Sequence, residues 1–92
     1  MAECARRLRL TGRVQGVFFR AWAQGHAREL GVSGWIRNCP DGSVEAHLES
    51  EGEQPVARMI ERMRRGPANA QVESFDVEEA SPEGLGRFQI RH

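Results

Sequence analysis

The 92-residue chain has no lysine, no tyrosine and no net charge, its 13 arginines balancing 13 carboxylates. A balanced charge argues against a polyanionic partner, so no nucleic acid is expected to bind. Long hydrophobic runs are also missing. No apolar stretch is longer than Val17-Phe18-Phe19, far short of the ~20 residues of a spanning helix, and no membrane association is expected. The opening Met1-Ala2-Glu3-Cys4-Ala5-Arg6-Arg7 lacks the apolar centre of a signal peptide. Cysteine is scarce. Cys4 and Cys39 make no disulfide scaffold, and the reducing cytoplasm is the expected compartment. What remains, 39% apolar and 28% charged, is the composition of an ordinary globular domain. The length suits one domain over 1–92, expected to be a monomer.

The zero charge hides an asymmetry. Residues 1–37 carry seven arginines against Glu3 and Glu29, whereas residues 38–92 carry six against eleven acids. A basic half can hold an anion site, or the split can be spatially meaningless, since halves of a sequence need not be halves of a molecule.

Local patterning predicts the elements. Leu8 and Leu10 alternate with Arg7, Arg9 and Thr11, a half-buried strand over 6–11. Gly12 and Gly16 interrupt it, predicting a loop over 12–19. Phe19, Ala23, Ala27 and Leu30 then recur at helical spacing until Gly31, with Gly25 suggesting close backbone packing. Residues 32–38 and 43–49 read as a hairpin around Pro40-Asp41-Gly42. A second helix fits 54–65, with Val56, Met59, Ile60 and Met63 as its apolar stripe and Gly66-Pro67 as its stop. Strands are expected near 70–78 and 87–91, and the shift in apolar parity between Val72 and Phe75 predicts a bulge. The order is βαββαβ plus a short final strand. This implies an α+β, ferredoxin-like split βαβ fold: an antiparallel sheet of four to five strands with two helices on one face.

Many functions use that scaffold, so function must come from a site. The segment from Gly12 to Arg20 joins a strand to a helix. A glycine loop can turn successive N–H groups toward an anion, and the helix N-terminus adds unpaired donors and partial positive charge. Arg20 stands at that junction with a donor fork suited to phosphate. The other reading is a surface loop with Arg13 and Arg20 solvated. Asn38 ends a strand before a tight turn, where asparagine commonly serves the turn itself. Its carboxamide could instead orient a water beside a bound anion.

Other reactive types offer less. His26, His47 and His92 have no metal-ligand spacing with each other or with the cysteines, so neither metal nor cofactor is expected. His47 is expected on an exposed sheet face, with Glu45, Glu49 and Glu51 solvated. Trp22 and Trp35 read as packing residues. RNA binding would want stacking aromatics on the central strands, which offer Leu8, Leu10, Val44, Ala46 and Leu48 instead. A non-catalytic module that binds a small anion remains open.

Two longer motifs carry a resemblance. Gly12-Arg13-Val14-Gln15-Gly16-Val17-Phe18-Phe19-Arg20 resembles the first signature of the acylphosphatases. Gly34-Trp35-Ile36-Arg37-Asn38-Cys39-Pro40-Asp41-Gly42-Ser43-Val44 resembles their second, and Gly86-Arg87-Phe88-Gln89-Ile90-Arg91 their C-terminal end. The resemblance implies a metal-free hydrolase of small acyl phosphates. It further implies that backbone N–H groups of Gln15, Gly16, Val17, Phe18 and Phe19 bind the phosphoryl group. Arg20 matches the family's phosphate-binding arginine, and Asn38 the residue that positions the attacking water. Ser50 stands where the family usually has glycine, and Ile36 where a smaller residue is common.

Overall fold

Leu8 and Leu10 are fully buried, and the strand they define runs further than its alternation suggests. In the computed structural model, which describes residues 4–91, strand β1 spans Cys4–Arg13. Helix α1 (Phe19–Leu30), strands β2 (Ser33–Asn38) and β3 (Val44–Ser50), helix α2 (Glu53–Arg65) and strands β4 (Gln71–Glu79) and β5 (Phe88–Arg91) follow. The sheet order is β4-β1-β3-β2-β5.

The sheet is mixed rather than purely antiparallel, because β5 pairs with β2 in parallel while the other pairs are antiparallel. The reason is the path of residues 80–87. They cross one end of the sheet from the β4 edge to the β2 edge, so β5 departs from the end at which β4 arrived. It therefore runs antiparallel to β4 and parallel to β2.

The loop expected over 12–19 shortens to 14–18. Thr11 pairs with Ser74 and Gly12 with Val72, which leaves Glu73 as an extra residue, the bulge anticipated between Val72 and Phe75. Past it the pairing continues to Arg13–Gln71. Gly12 adopts φ 112°, and a Cβ there would lie 2.2 Å from the Gln71 carbonyl oxygen, so no other side chain fits.

Phe19, Ala23 and Ala27 of α1 and Val56, Met59 and Met63 of α2 are buried and pack with Leu8, Leu10, Ile36, Ala46 and Leu48 in one core. Each fully buried large side chain contributes about 1.5–3 kcal/mol. Gly31 ends α1 in the left-handed conformation, and its N–H reaches the carbonyls of Ala27 and Arg28. Glu53 opens α2 and Arg62, Arg64 and Arg65 close it, which suits the helix dipole. Gly25 is not a close-packing position. It is exposed, and a Cβ there would meet no atom within 4 Å.

The helix-free face differs from expectation. His47 and Glu49 are buried, at 0% and 1% exposure, because residues 80–86 lie across them. The Glu49 carboxylate accepts the backbone N–H groups of Glu83 (2.6 Å) and Leu85 (2.9 Å), and it lies 2.9 Å from Nε2 of His47. Burial alone would raise its pKa, but these donors outweigh burial and hold it below the ordinary carboxylate value. Trp35 stacks on His47 with ring centroids 6.1 Å apart and donates its indole N–H to Glu83. Arg7 and Arg91 lie over the Trp35 ring.

Candidate active site

The loop at 14–18 is held at both ends. Val14, fully buried, plugs into the core and donates its N–H to Gly12. Gly16 and Phe18 take positive φ, 72° and 59°, which curls the backbone ahead of α1. The first helical bond runs from the Trp22 N–H to the Phe18 carbonyl. Among the described residues, no hydrogen bond outside the regular elements uses the N–H of Gln15, Gly16, Val17 or Phe18. Arg20 is the second residue of α1, and its guanidinium donates to the Arg91 carbonyl at 3.5 Å. Gln24, one turn on, donates to the Phe88 carbonyl. Helix α1 is thereby docked on β5.

Asn38 ends β2 opposite Val44. The turn behind it is closed by the Cys39 N–H to the Ser43 carbonyl and the Gly42 N–H to the Cys39 carbonyl. The side chain serving that turn is Asp41, which accepts both the N–H and the hydroxyl of Ser43. These bonds, with Arg9 adding its charge, lower the Asp41 carboxyl to about 2. Asn38 is thus relieved of the usual turn duty. Its Oδ1 is buried and accepts no hydrogen bond among the described residues.

Gln15 connects the two segments. Its Nε2 donates to the carbonyls of Cys39 (2.9 Å) and Ser43 (2.8 Å), tying the glycine loop to the turn. A cleft of about 510 Å³ lies between them, with Gly16, Phe18, Phe19, Arg20, Asn38 and Ile90 in its lining. Arg20 and Asn38, far apart in sequence, therefore share one cavity. Gln15 and Val17 stand behind the lining, Gln15 as the tether and Val17 packed against the core. The side-chain tether of Gln15 and the presence of Ile90 were not legible in the sequence, because both depend on contacts between distant segments.

Among the described residues, Arg20 is the charged side chain in this lining, which suits an anion. A cavity of about 550 Å³ at the other end of the sheet is lined by Glu49 and Glu51 and by no basic side chain. Negative charge of that kind repels phosphate. Ser50, which lines it, bonds the Gly52 carbonyl through its hydroxyl, and Ile36 lies fully in the core. Neither departure from the family pattern touches the cleft at Arg20. Among the described residues, no group of three or more His, Cys, Asp and Glu side chains could hold a metal ion.

Known proteins resemble this chain in sequence and in fold. A family model described as Acylphosphatase matches residues 6–90. An acylphosphatase of Rhizobium etli is 49% identical over 85 residues, covering 91% of this chain and 89% of that protein. One of Anaeromyxobacter dehalogenans is 46% identical, with 99% of each chain covered. The crystal structure of acylphosphatase from Bacillus subtilis superposes with a TM-score of 0.91 at 34% identity, covering 98% of this chain and 100% of that one. The chain belongs to the acylphosphatase family, hydrolases of acyl phosphates.

Proposed function

We propose that the cleft hydrolyses the carboxyl–phosphate bond of small acyl phosphates by direct attack of a water held by Asn38. The backbone N–H groups of Gln15 to Phe19 and the Arg20 guanidinium bind the phosphoryl oxygens, with the N-terminus of α1 adding positive potential. The Asn38 Oδ1 accepts a hydrogen bond from the water and turns its lone pair toward phosphorus. The water oxygen forms the new P–O bond as the bond to the acyl oxygen breaks. The carboxylate leaves with its electron pair, and a phosphoryl oxygen takes the water's proton.

Such a step needs positioning and charge stabilisation more than covalent help. A carboxylate is a good leaving group without protonation, since its conjugate acid has a pKa of roughly 4. No general acid or base is therefore required. The observation that carries this reading is the buried Oδ1 of Asn38, without a partner among the described residues, in the same cleft as Arg20. We assign the whole chain, 1–92, to one catalytic domain that acts as a monomer on a small molecule, without nucleic acid or membrane. The free thiols of Cys4 and Cys39 favour the cytoplasm.

The test is hydrolysis of acetyl phosphate in EDTA, with inorganic phosphate as competitive inhibitor. Asn38→Ala is expected to lower kcat about 10²–10³-fold while phosphate still binds. Full turnover in Asn38→Ala would overturn the water assignment. Phosphate binding without wild-type turnover would mark a non-catalytic anion-binding module instead.

A further inference from the structure

Phe18 is the least economical residue in the fold. Its side chain is 85% exposed, whereas the next most exposed large apolar side chain among the described residues, Val77, reaches 40%. Folding therefore recovers almost none of the hydrophobic stabilisation a buried phenylalanine supplies. Phe18 is also the one non-glycine residue with positive φ among the described residues, a conformation that strains any side chain carrying a Cβ. Glycine would suit the position better on both counts. Both disadvantages fall on a residue that lines the cleft next to Arg20.

The cleft has two kinds of wall. Arg20, Asn38 and the loop N–H groups face the phosphoryl site. The rest is Phe18, Ala21, Ile90 and buried Val14 and Phe19, with no carboxylate and no second cation among the described residues. The guanidinium of the neighbouring Arg91 lies over the Trp35 ring, on the helix-free face. In an acyl phosphate the leaving oxygen bonds directly to the acyl carbon, so a phosphoryl group held by the loop carries its acyl group into this same cleft. We propose that Phe18, with Ile90, is a specificity-determining contact that selects an uncharged, apolar acyl group, aromatic or branched. The proposal rests on the acyl phosphatase reading of the site. A small acetyl group reaches little of this surface, and a carboxylate-bearing acyl group loses hydration there without a partner.

The experiment compares kcat/KM for benzoyl phosphate, acetyl phosphate and succinyl phosphate in wild type, Phe18→Ala, Phe18→Gly, Phe18→Leu and Ile90→Ala. The readout is the benzoyl-to-acetyl ratio of each variant relative to wild type, so that intrinsic leaving-group differences cancel. The ratio is expected to fall about tenfold in Phe18→Ala and Phe18→Gly, mainly through KM for benzoyl phosphate, and about threefold in Ile90→Ala. Phe18→Leu is expected to keep most of it. Agreement between the Ala and Gly variants assigns the effect to the ring, because glycine relieves the backbone strain and alanine does not. A ratio within twofold of wild type in both variants overturns the acyl contact while leaving the phosphatase reading intact. In the wild type, a succinyl-to-acetyl ratio above the benzoyl-to-acetyl ratio does the same. If the wild type hydrolyses none of the three, the proposal falls together with the reading beneath it.

Discussion

The Gln15 carboxamide lies 2.8 Å from the Ser43 carbonyl, 28 residues away in sequence, and donates to it from the same nitrogen that reaches Cys39. That nitrogen joins the loop expected to hold phosphate to the turn that places Asn38. Gln15→Ala should cost about 1–2 kcal/mol of stability, because two carbonyls lose a partner. It should lower kcat about tenfold with a smaller change in phosphate affinity, since the loop keeps its glycines while Asn38 loses its brace. Urea unfolding and steady-state kinetics on acetyl phosphate check both.

Arg20 offers a geometric test. Arg20→Lys keeps the charge but loses the planar fork, and kcat/KM is expected to fall about 10–100-fold. Arg20→Ala should fall further and raise the inhibition constant of inorganic phosphate by at least tenfold. If Arg20→Lys matched wild type, net charge at the cleft would be sufficient and the fork irrelevant.

The buried Glu49 makes stability depend on acid pH. Its pKa is lowered on folding, so its contribution is fully present above the unfolded value of about 4.3 and is lost as pH falls below it. Glu49→Ala leaves the Glu83 and Leu85 N–H groups without their acceptor and should cost about 2–4 kcal/mol at pH 7. Glu49→Gln should cost less and show a smaller loss of urea midpoint between pH 6 and pH 3.5 than wild type. An equal loss in both proteins would place the acid sensitivity elsewhere, for instance at Asp41, whose carboxyl is held at about 2.

Two glycines should respond in opposite directions. Gly25→Ala adds a methyl where nothing lies within 4 Å and removes chain entropy from the unfolded state. It should stabilise by about 0.5–1 kcal/mol, or several degrees in Tm. At Gly34, φ is 145° and a Cβ would lie 1.8 Å from the His47 carbonyl oxygen. Gly34→Ala should cost more than about 3 kcal/mol or prevent folding. Thermal melts of the two variants settle the contrast.

Elements were legible where the periodicity of one segment decides them. The spacing of Phe19, Ala23 and Ala27 and the stop at Gly31 are local features, and α1 lies where they put it. The loop boundary at Arg13 was not legible, because it depends on pairing with Gln71 across the sheet. The burial of His47 and Glu49 escaped for the same reason. Their alternation marks a second sheet face, but nothing nearby in sequence announces that residues 80–86 will cover it. That Asp41 rather than Asn38 bonds Ser43 in the turn is a matter of side-chain geometry that spacing does not show.

By itself the sequence determined the α+β order, the helix-facing core, the glycine loop and, through two long motifs, the family. These are properties of contiguous residues, set by backbone conformation and the period of apolar side chains. Only the tertiary structure decided the parallel β2–β5 pairing, the polar pair sealed beneath 80–86, and the cleft that Arg20, Asn38, Phe18 and Ile90 share. Those depend on which distant segments touch. Many weak long-range contacts, summed over the whole core, settle that choice, and no single segment encodes it.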